Sequence, residues 1–396
     1  MGGSESRYQD FLDAAAREGL RRGLTDMAAL DARTVRVKGR DYVNLASNDY
    51  LALRFRPELI ERAREWAARF GVGAGASRLV TGNLDLFARI EAKVARLKRK
   101  PAALIMASGF QANASVLAAL LDRAALGAEP LVFADRLNHA SMHFGCKAAD
   151  VRELRYGHCD AAHLAELLSR YQGDSRPKFI LTESVFSMDG DVAPLAEIAT
   201  LARAHDAILI VDDAHATGIL GEEGRGLSDE ADIAIGTFSK ALGSFGAYVA
   251  CAETVRDYLI NRCAGLIYAT ALPPPVLGAI DAALDLLPAL DAERAYVAGL
   301  AARFRERARA AGHDTGASTT QIVPLIAGDA EAALALSGML RAAGFWATAI
   351  RPPTVPAGTA RVRLAFTAAH DDEDAERLAD LLKEKAGQRP EKVYPL

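Results

Sequence analysis

One lysine stands among hydroxyls and glycines in Gly236-Thr-Phe-Ser-Lys-Ala-Leu-Gly-Ser-Phe-Gly246, directly after the apolar run 233–235. A primary amine becomes a nucleophile toward a carbonyl once it loses its proton, and a tight, partly desolvated turn helps it do so. Thr237, Ser239 and the N–H groups of a glycine-rich turn suit a phosphate. Pyridoxal 5'-phosphate requires an amine for its aldehyde and a cradle for its phosphate, so Lys240 is a candidate Schiff-base lysine. A lone Ser-Lys in such a loop is more often a solvated surface turn. What separates the two readings is Asp212, which also follows an apolar run, 207–211. A carboxylate there can pair with a pyridine nitrogen, keep it protonated and make the ring an electron sink.

The elements that must carry these residues follow from the hydrophobic pattern. Apolar strand-type runs at 103–106, 131–133, 151–154, 179–183, 207–211, 233–235 and 247–250 alternate with amphipathic segments at 161–171, 195–205 and 254–264. Continuous apolar strands between helices predict an α/β fold with a mostly parallel sheet covered on both faces. Ser108, His139, Ser187, Asp212, His215, Thr237 and Lys240 all fall just after such runs, where ligands lie in open α/β sheets. Ser108-Gly109-Phe110 opens a helix, and its N–H groups and positive end favour an anion.

Earlier in the chain, residues 8–22 read as an amphipathic helix, 35–45 as a hairpin, 57–70 as a helix with proline in its first turn, and 84–97 as another helix. The glycine-rich stretch 71–83 lacks dinucleotide spacing and reads as a tight loop, with Ser77 and Arg78 as possible donors. Pro273-Pro-Pro275 interrupts the rhythm, and 276–311 reads as one long helix or a helix pair. Two further strand–helix pairs suggest a small C-terminal α/β domain. The expected organisation is 1–46 as helix and hairpin, 47–275 as the large domain and 276–396 as linking helix plus small domain. The tail after Gly387 is expected to be frayed or lightly docked.

Composition narrows the function. Of 396 residues, 51% are hydrophobic and 25% charged, with a net charge of −4, an ordinary globular balance that asks for neither nucleic acid nor an anionic membrane. No stretch approaches the roughly 20 apolar residues of a membrane span. The opening Met-Gly-Gly-Ser-Glu-Ser has no apolar run, so no secretory signal is expected. Cys146, Cys159, Cys251 and Cys263 form no zinc-type spacing; they read as reduced thiols of a cytoplasmic protein, and no metal is expected.

Asp212-Asp-Ala-His-Ala-Thr-Gly218 and Gly236-Thr-Phe-Ser-Lys-Ala-Leu-Gly243 resemble the α-oxoamine synthases. So do Ser47-Asn-Asp-Tyr-Leu51, Ser77–Asn83, Ser108-Gly-Phe110, Asn138-His-Ala-Ser141, Phe186–Asp191, Ala269–Pro274 and Arg351–Arg363. The likeness covers residues 47–370. It implies a fold-type I pyridoxal-phosphate transferase that condenses an amino acid with an acyl-CoA or acyl-ACP thioester, as a cytoplasmic homodimer with shared active sites. By this resemblance Lys240 holds the cofactor and moves the α-carbon proton. Asp212 pairs with the ring nitrogen, His139 stacks on the ring, and His215 reaches its phenolic oxygen. Ser108, Gly109, Phe110 and Thr237 hold the phosphate, with Thr270 of the other subunit, and Ser187 lies beside the cofactor. Asn48 and Arg351 bind the amino-acid carboxylate, and Glu183 assists. Asp212-Asp-Ala-His and Arg351–Arg363 most resemble the biotin-pathway branch, which uses L-alanine and a pimeloyl thioester. Ala216 and Leu53 stand where that branch commonly has glycine, and 244–248 carries larger side chains. Sister branches with another amino acid or acyl chain stay open, as do an aminotransferase or lyase on this fold and a non-catalytic relative.

Overall fold

The structure is a computed structural model and describes residues 3–386. It contains two compact units, one of residues 49–187 and 191–295, the other of 1–48, 188–190 and 296–396.

The larger unit is built on a seven-stranded sheet. Its spatial order is Ala102–Met106, Ala247–Cys251, Ile233–Thr237, Ala207–Asp212, Lys178–Glu183, Leu131–Asp135, Glu153–Tyr156. The Ala247–Cys251 strand runs antiparallel to both its neighbours, and the five strands from Ile233–Thr237 to Glu153–Tyr156 pair in parallel. Alternate residues of each strand face opposite sides. Phe179, Leu181 and Ile210 join Val116, Leu117 and Val249 in one core, while Ile180, Leu209 and Val211 join Leu164, Leu168 and Ile198 in another. Both faces are covered, which is why the strands read as unbroken apolar runs.

The expected 276–311 segment is a helix pair, Pro274–Leu286 and Asp291–Ala310, with proline in the first turn of the former. Pro274–Leu286 packs along Pro57–Phe70, and its buried Asp281 gathers Arg62, Arg89 (2.8 Å) and Lys93 (2.5 Å). Its packing places it with the large unit rather than with the C-terminal segment expected from the sequence.

The second unit joins the two ends of the chain. Phe345–Trp346 pairs in parallel with Val43–Asn44 of the Arg40–Asn44 strand, so the N-terminal hairpin is completed by a C-terminal strand. Ile322–Gly328, Ala360–Ala365 and Thr348–Ile350 form an antiparallel three-stranded sheet. Leu300, Phe304, Val323, Leu364 and Leu378 pack in the core of this unit. The first helix spans Gly3–Arg17, shorter at its C-terminal end than expected. It stops before Gly19, which takes a φ of +66°. The tail after Gly387 lies outside the described residues.

Behind the Asp212 turn of the large unit lies a buried ion pair. Lys98 and Asp213 are both fully enclosed, 2.5 Å apart, and Lys98 also reaches Thr217 Oγ1 at 3.2 Å and the Arg225 carbonyl. Asp213 accepts further hydrogen bonds from Ser184 Oγ at 2.5 Å and Ser228 Oγ at 2.9 Å. Burial opposes the charge on Lys98, but Asp213 outweighs it and the ammonium is held above its ordinary range. Removing one partner strands the other charge. Lys98→Met should lower unfolding free energy by about 3–5 kcal/mol, read as a fall in urea midpoint at constant m-value.

Candidate active site

The pairing of adjacent parallel strands decides which side chains meet. Glu183 at the end of Lys178–Glu183 is the register partner of Asp212 at the end of Ala207–Asp212. Both are buried. Lys240 lies three residues past the next strand, Ile233–Thr237. Its turn is locked by Gly243, at φ +63°, where a Cβ would strike the backbone of Leu53 and Arg54.

Lys240 Nζ lies 2.8 Å from His215 Nε2, and His215 Nδ1 lies 2.7 Å from the Tyr50 hydroxyl. An ammonium only donates, so with Lys240 protonated Nε2 accepts and the His215 proton sits on Nδ1. Asp212 Oδ1 accepts from the Ala214 N–H at 2.9 Å and Oδ2 from Asn113 Nδ2 at 2.6 Å. Each carboxylate oxygen keeps a second lone pair for another donor. The charges of Asp212 and Lys240 both act on Glu183 and on His139, so the lysine and the aspartate share two neighbours.

Glu183 is pushed well above the ordinary carboxylate range, first by burial and then by the charge of Asp212. Of the two neighbouring carboxyls, Asp212 accepts from Asn113 and the Ala214 N–H, and Glu183 is the one whose protonated form burial favours. His139 is pulled below its usual value, chiefly by desolvation and also by the Lys240 and His143 charges. Its Nδ1 accepts from the Ser141 N–H at 3.3 Å and lies 2.6 Å from the Ser141 hydroxyl, which puts its proton on Nε2. The residue is open to solvent on one side, leaving room for a flat ring against the imidazole.

Ser108 caps the helix Gly109–Leu120, accepting from the Gln111 N–H at 3.3 Å. Phe110 stands exposed at the same helix end, edge-on to His139 at 6.5 Å. A Cβ built on Gly109 would sit 3.7 Å from Thr237 Cβ, so the helix start and the Thr237 turn adjoin. Thr237 Oγ1 lies 2.7 Å from Ser239 Oγ and 2.8 Å from the Gly246 carbonyl. Hydroxyls and unpaired first-turn N–H groups at one point suit a phosphate monoester. Together with the Lys240 amine and the Asp212 carboxylate, this donor set fits pyridoxal phosphate.

Ser187 is buried in the segment after Glu183, beside Phe186, whose N–H reaches the Asp191 carbonyl at 3.1 Å. That segment is anchored by His158, whose ring nitrogens lie 3.1 Å from Asp135 and 2.9 Å from Asp191. Despite burial, these two carboxylates raise His158 to about 12. Asp135, His158 and Cys159 cluster closely enough to resemble a metal set, but both His158 nitrogens are taken up by carboxylates. Thr270 is exposed and bridges Ser77 in antiparallel fashion. Arg78, a possible donor by its place in the glycine-rich loop, binds Glu91 at 2.5 Å and Asn83 at 2.8 Å.

In the smaller unit, Asn48 Oδ1 accepts from Arg363 at 3.0 Å, and Arg351 donates to the Gly19 carbonyl. Burial and the neighbouring Arg22 lower Arg351 from its usual value. Sequence reasoning gave no role to Asn113, Ser141, Tyr50 or Arg363. Asn113 was detectable in principle, since it stands with Val116, Leu117 and Leu120 on the apolar face of its helix, where an amide needs partners.

Comparison with known proteins places the chain. The Aminotransferase class I and II profile matches residues 40–382, and the chain belongs to that family. It is 55% identical over 380 residues to a protein of Paramagnetospirillum magneticum named putative 8-amino-7-oxononanoate synthase, covering 96% of this chain and 97% of that one. It is 54% identical to 8-amino-7-oxononanoate synthase of Gluconacetobacter diazotrophicus, covering 96% of each. Among solved structures, Sphingomonas wittichii serine palmitoyltransferase superposes with a TM-score of 0.89 at 26% identity over 98% of this chain and 99% of that one. Francisella tularensis 8-amino-7-oxononanoate synthase superposes with a TM-score of 0.75 at 26% identity, over 88% and 98%.

Because the folded protein holds the Glu183 proton more tightly than the unfolded chain, raising pH above the ordinary value of 4.5 strips the unfolded state first. The unfolded state then binds fewer protons, and stability falls as pH rises. Glu183→Gln removes this slope. Relative to the parent, the variant should gain stability between about pH 5 and pH 8, measured by urea unfolding across that range.

Proposed function

We propose that this chain catalyses the pyridoxal-phosphate-dependent, decarboxylative condensation of L-alanine with a pimeloyl thioester, the 8-amino-7-oxononanoate synthase reaction of biotin biosynthesis. The observation that carries the reading is the placement of Asp212 and Lys240 after adjacent strands, each fixed by hydrogen bonds and both acting on His139 and Glu183. The identity to synthases of that name, sustained over nearly the whole chain, favours the amino acid and acyl group.

Pyridoxal phosphate supplies an electron sink for the carbanion at the amino acid's α-carbon. The protein residues bind, orient and carry protons. Ser108, the Gly109 and Phe110 N–H groups and Thr237 hold the phosphate, and Thr270 of a partner subunit completes that cradle in a homodimer. Ser187 would lie beside the ring. Asp212 keeps the ring nitrogen protonated, and Asn113 and Ala214 hold the carboxylate in place. His139, neutral and with its outer face open, supports the ring by stacking. His215 is held by Tyr50 and directed at Lys240, and it orients the phenolic oxygen of the cofactor. Lys240 removes the α-proton and returns a proton after CO₂ leaves. Asn48 and Arg351 read the amino-acid carboxylate, a task suited to a guanidinium fork. Arg363 takes the Asn48 oxygen, which turns the amide N–H₂ toward that anion. Protonated Glu183 lines the pocket without adding a second negative charge. A cytoplasmic location belongs to this reading; no helix among the described residues is long and apolar enough to cross a membrane.

A second reading, condensation of serine with a long acyl thioester, is favoured by the structural likeness to serine palmitoyltransferase. Thiol release and CO₂ evolution, measured for alanine, serine and glycine against acetyl-, pimeloyl- and palmitoyl-CoA and pimeloyl-ACP, separate the two. Turnover should be greatest with alanine and a pimeloyl carrier; a preference for serine with palmitoyl-CoA would replace the first reading by the second. Lys240→Ala should keep its far-ultraviolet circular dichroism while turnover falls by roughly 10²–10⁴-fold, the usual weight of a positioned acid–base group.

A further inference from the structure

We infer that Asn113 is a positioning residue that sets, through one carboxamide, both the donor environment of Asp212 and the orientation of His139. The inference rests on the reading of those two residues as the groups that hold the cofactor ring. Asn113 is buried at 2% exposure, inside the helix that begins at the phosphate cradle. One Nδ2 proton goes to Asp212 Oδ2 at 2.6 Å and the other to Ser141 Oγ at 3.0 Å. The Ser141 hydroxyl, having accepted from Asn113, has its own proton to give, and His139 Nδ1 is its neighbour at 2.6 Å. The chain therefore runs in one direction, from the amide to the aspartate on one side and through the serine to the histidine on the other.

The amide cannot be reversed without loss. Turning it over would set Oδ1 against the Asp212 carboxylate and remove both donations. Oδ1 itself is buried and has no hydrogen-bond partner. A buried carbonyl without a donor is unfavourable, and the arrangement persists because the two donations fix it. A helix that merely needed packing at this position would be served by leucine, since its neighbours on the face are Val116, Leu117 and Leu120.

The charged and titratable groups around Asp212 are Glu183 on the adjacent strand, Lys240 and His215 from the following turns, and His139 with His143 at the start of the Ala140–Ala148 helix. Substituting Asn113 leaves the identity of these groups as it is and removes the donation to Asp212 and, through Ser141, the tie to His139. Removing a donor from a carboxylate leaves it less protected against protonation, so the ring nitrogen loses its counter-ion at a higher pH than in the parent. A hydrogen bond to a charged group corresponds to about one to two pH units.

The test compares the parent with Asn113→Ala and the equal-sized Asn113→Asp, each reconstituted with pyridoxal phosphate. The measurements are cofactor absorbance against pH, the pH profile of kcat, and thermal unfolding. The acidic limb of both profiles should move upward by about one to two units in Asn113→Ala, with KM for alanine little changed. Asn113→Asp, which keeps the volume but supplies a second carboxylate, should move it at least as far. Profiles that superimpose on the parent in either folded variant would overturn the inference and leave Asn113 a packing residue. A parent protein that binds no cofactor would instead sink the reading of Asp212 and His139, and this inference with it.

Discussion

Two buried carboxyl groups stand side by side at the ends of adjacent parallel strands, and the large unit surrounds each of them differently. Register makes Glu183 and Asp212 neighbours as directly as it makes Ile180 and Leu209 neighbours. In water the repulsion would be small; in a buried site it is several-fold stronger. The surroundings of the two differ. Asn113 and the Ala214 N–H stand against Asp212, whereas burial and then the Asp212 charge push Glu183 well above the ordinary carboxylate range. Chemically alike side chains one strand apart thus meet different environments.

Consecutive residues of the Asp212 turn have opposite duties. Asp212 belongs to the pocket with Lys240. Asp213 points away from it, into the enclosed pair with Lys98 and the hydroxyls of Ser184 and Ser228. That second network ties the end of the Asp85–Leu97 helix to the turn, since Lys98 is the residue just past that helix. A turn that carries a counter-ion must not drift, because electrostatic positioning fails when a group is displaced by as little as an ångström. The buried pair is a costly device in desolvation terms, and its placement directly behind the functional carboxylate gives it a rationale that stability alone would not.

The strands of the larger unit were legible because both faces of the sheet are covered, so each reads as a plain apolar run. Asp212 directly follows its run and Lys240 comes a few residues after its own, which is what marked both as candidates. The chain's division was less so. Phe345–Trp346 is only two residues long, and nothing in its composition says that it pairs with Val43–Asn44, some three hundred positions earlier. The short Gly3–Arg17 helix could be placed only by its glycine stop. The Arg78 ion pair was not legible, because a guanidinium in a glycine-rich loop looks the same whether it awaits a ligand or a glutamate; Glu91 lies thirteen positions away, beyond any local pattern. Asn113 and Ser141 were on view but silent, since their role exists only once a helix start and a strand end have been folded together.

The fold alone does not choose the substrate, and the two units show why. The groups that would grip the cofactor lie at the strand ends of the seven-stranded sheet and on the turns directly after them, which main-chain pairing of the strands holds in register. Any relative with that chemistry must keep the sheet, so backbone likeness extends to an enzyme acting on serine and a long acyl chain. The groups assigned to the amino-acid carboxylate, Asn48 and Arg351, sit on short connections of the smaller unit, one held by Arg363 and the other against Gly19. Side-chain identity there can change without moving a strand. Fold similarity therefore speaks for the reaction type, whereas residue identity over the full chain speaks for the reactants. Where the two kinds of likeness point to different branches of one family, the residue-level likeness carries more weight, because specificity is written in the side chains that the backbone leaves unconstrained.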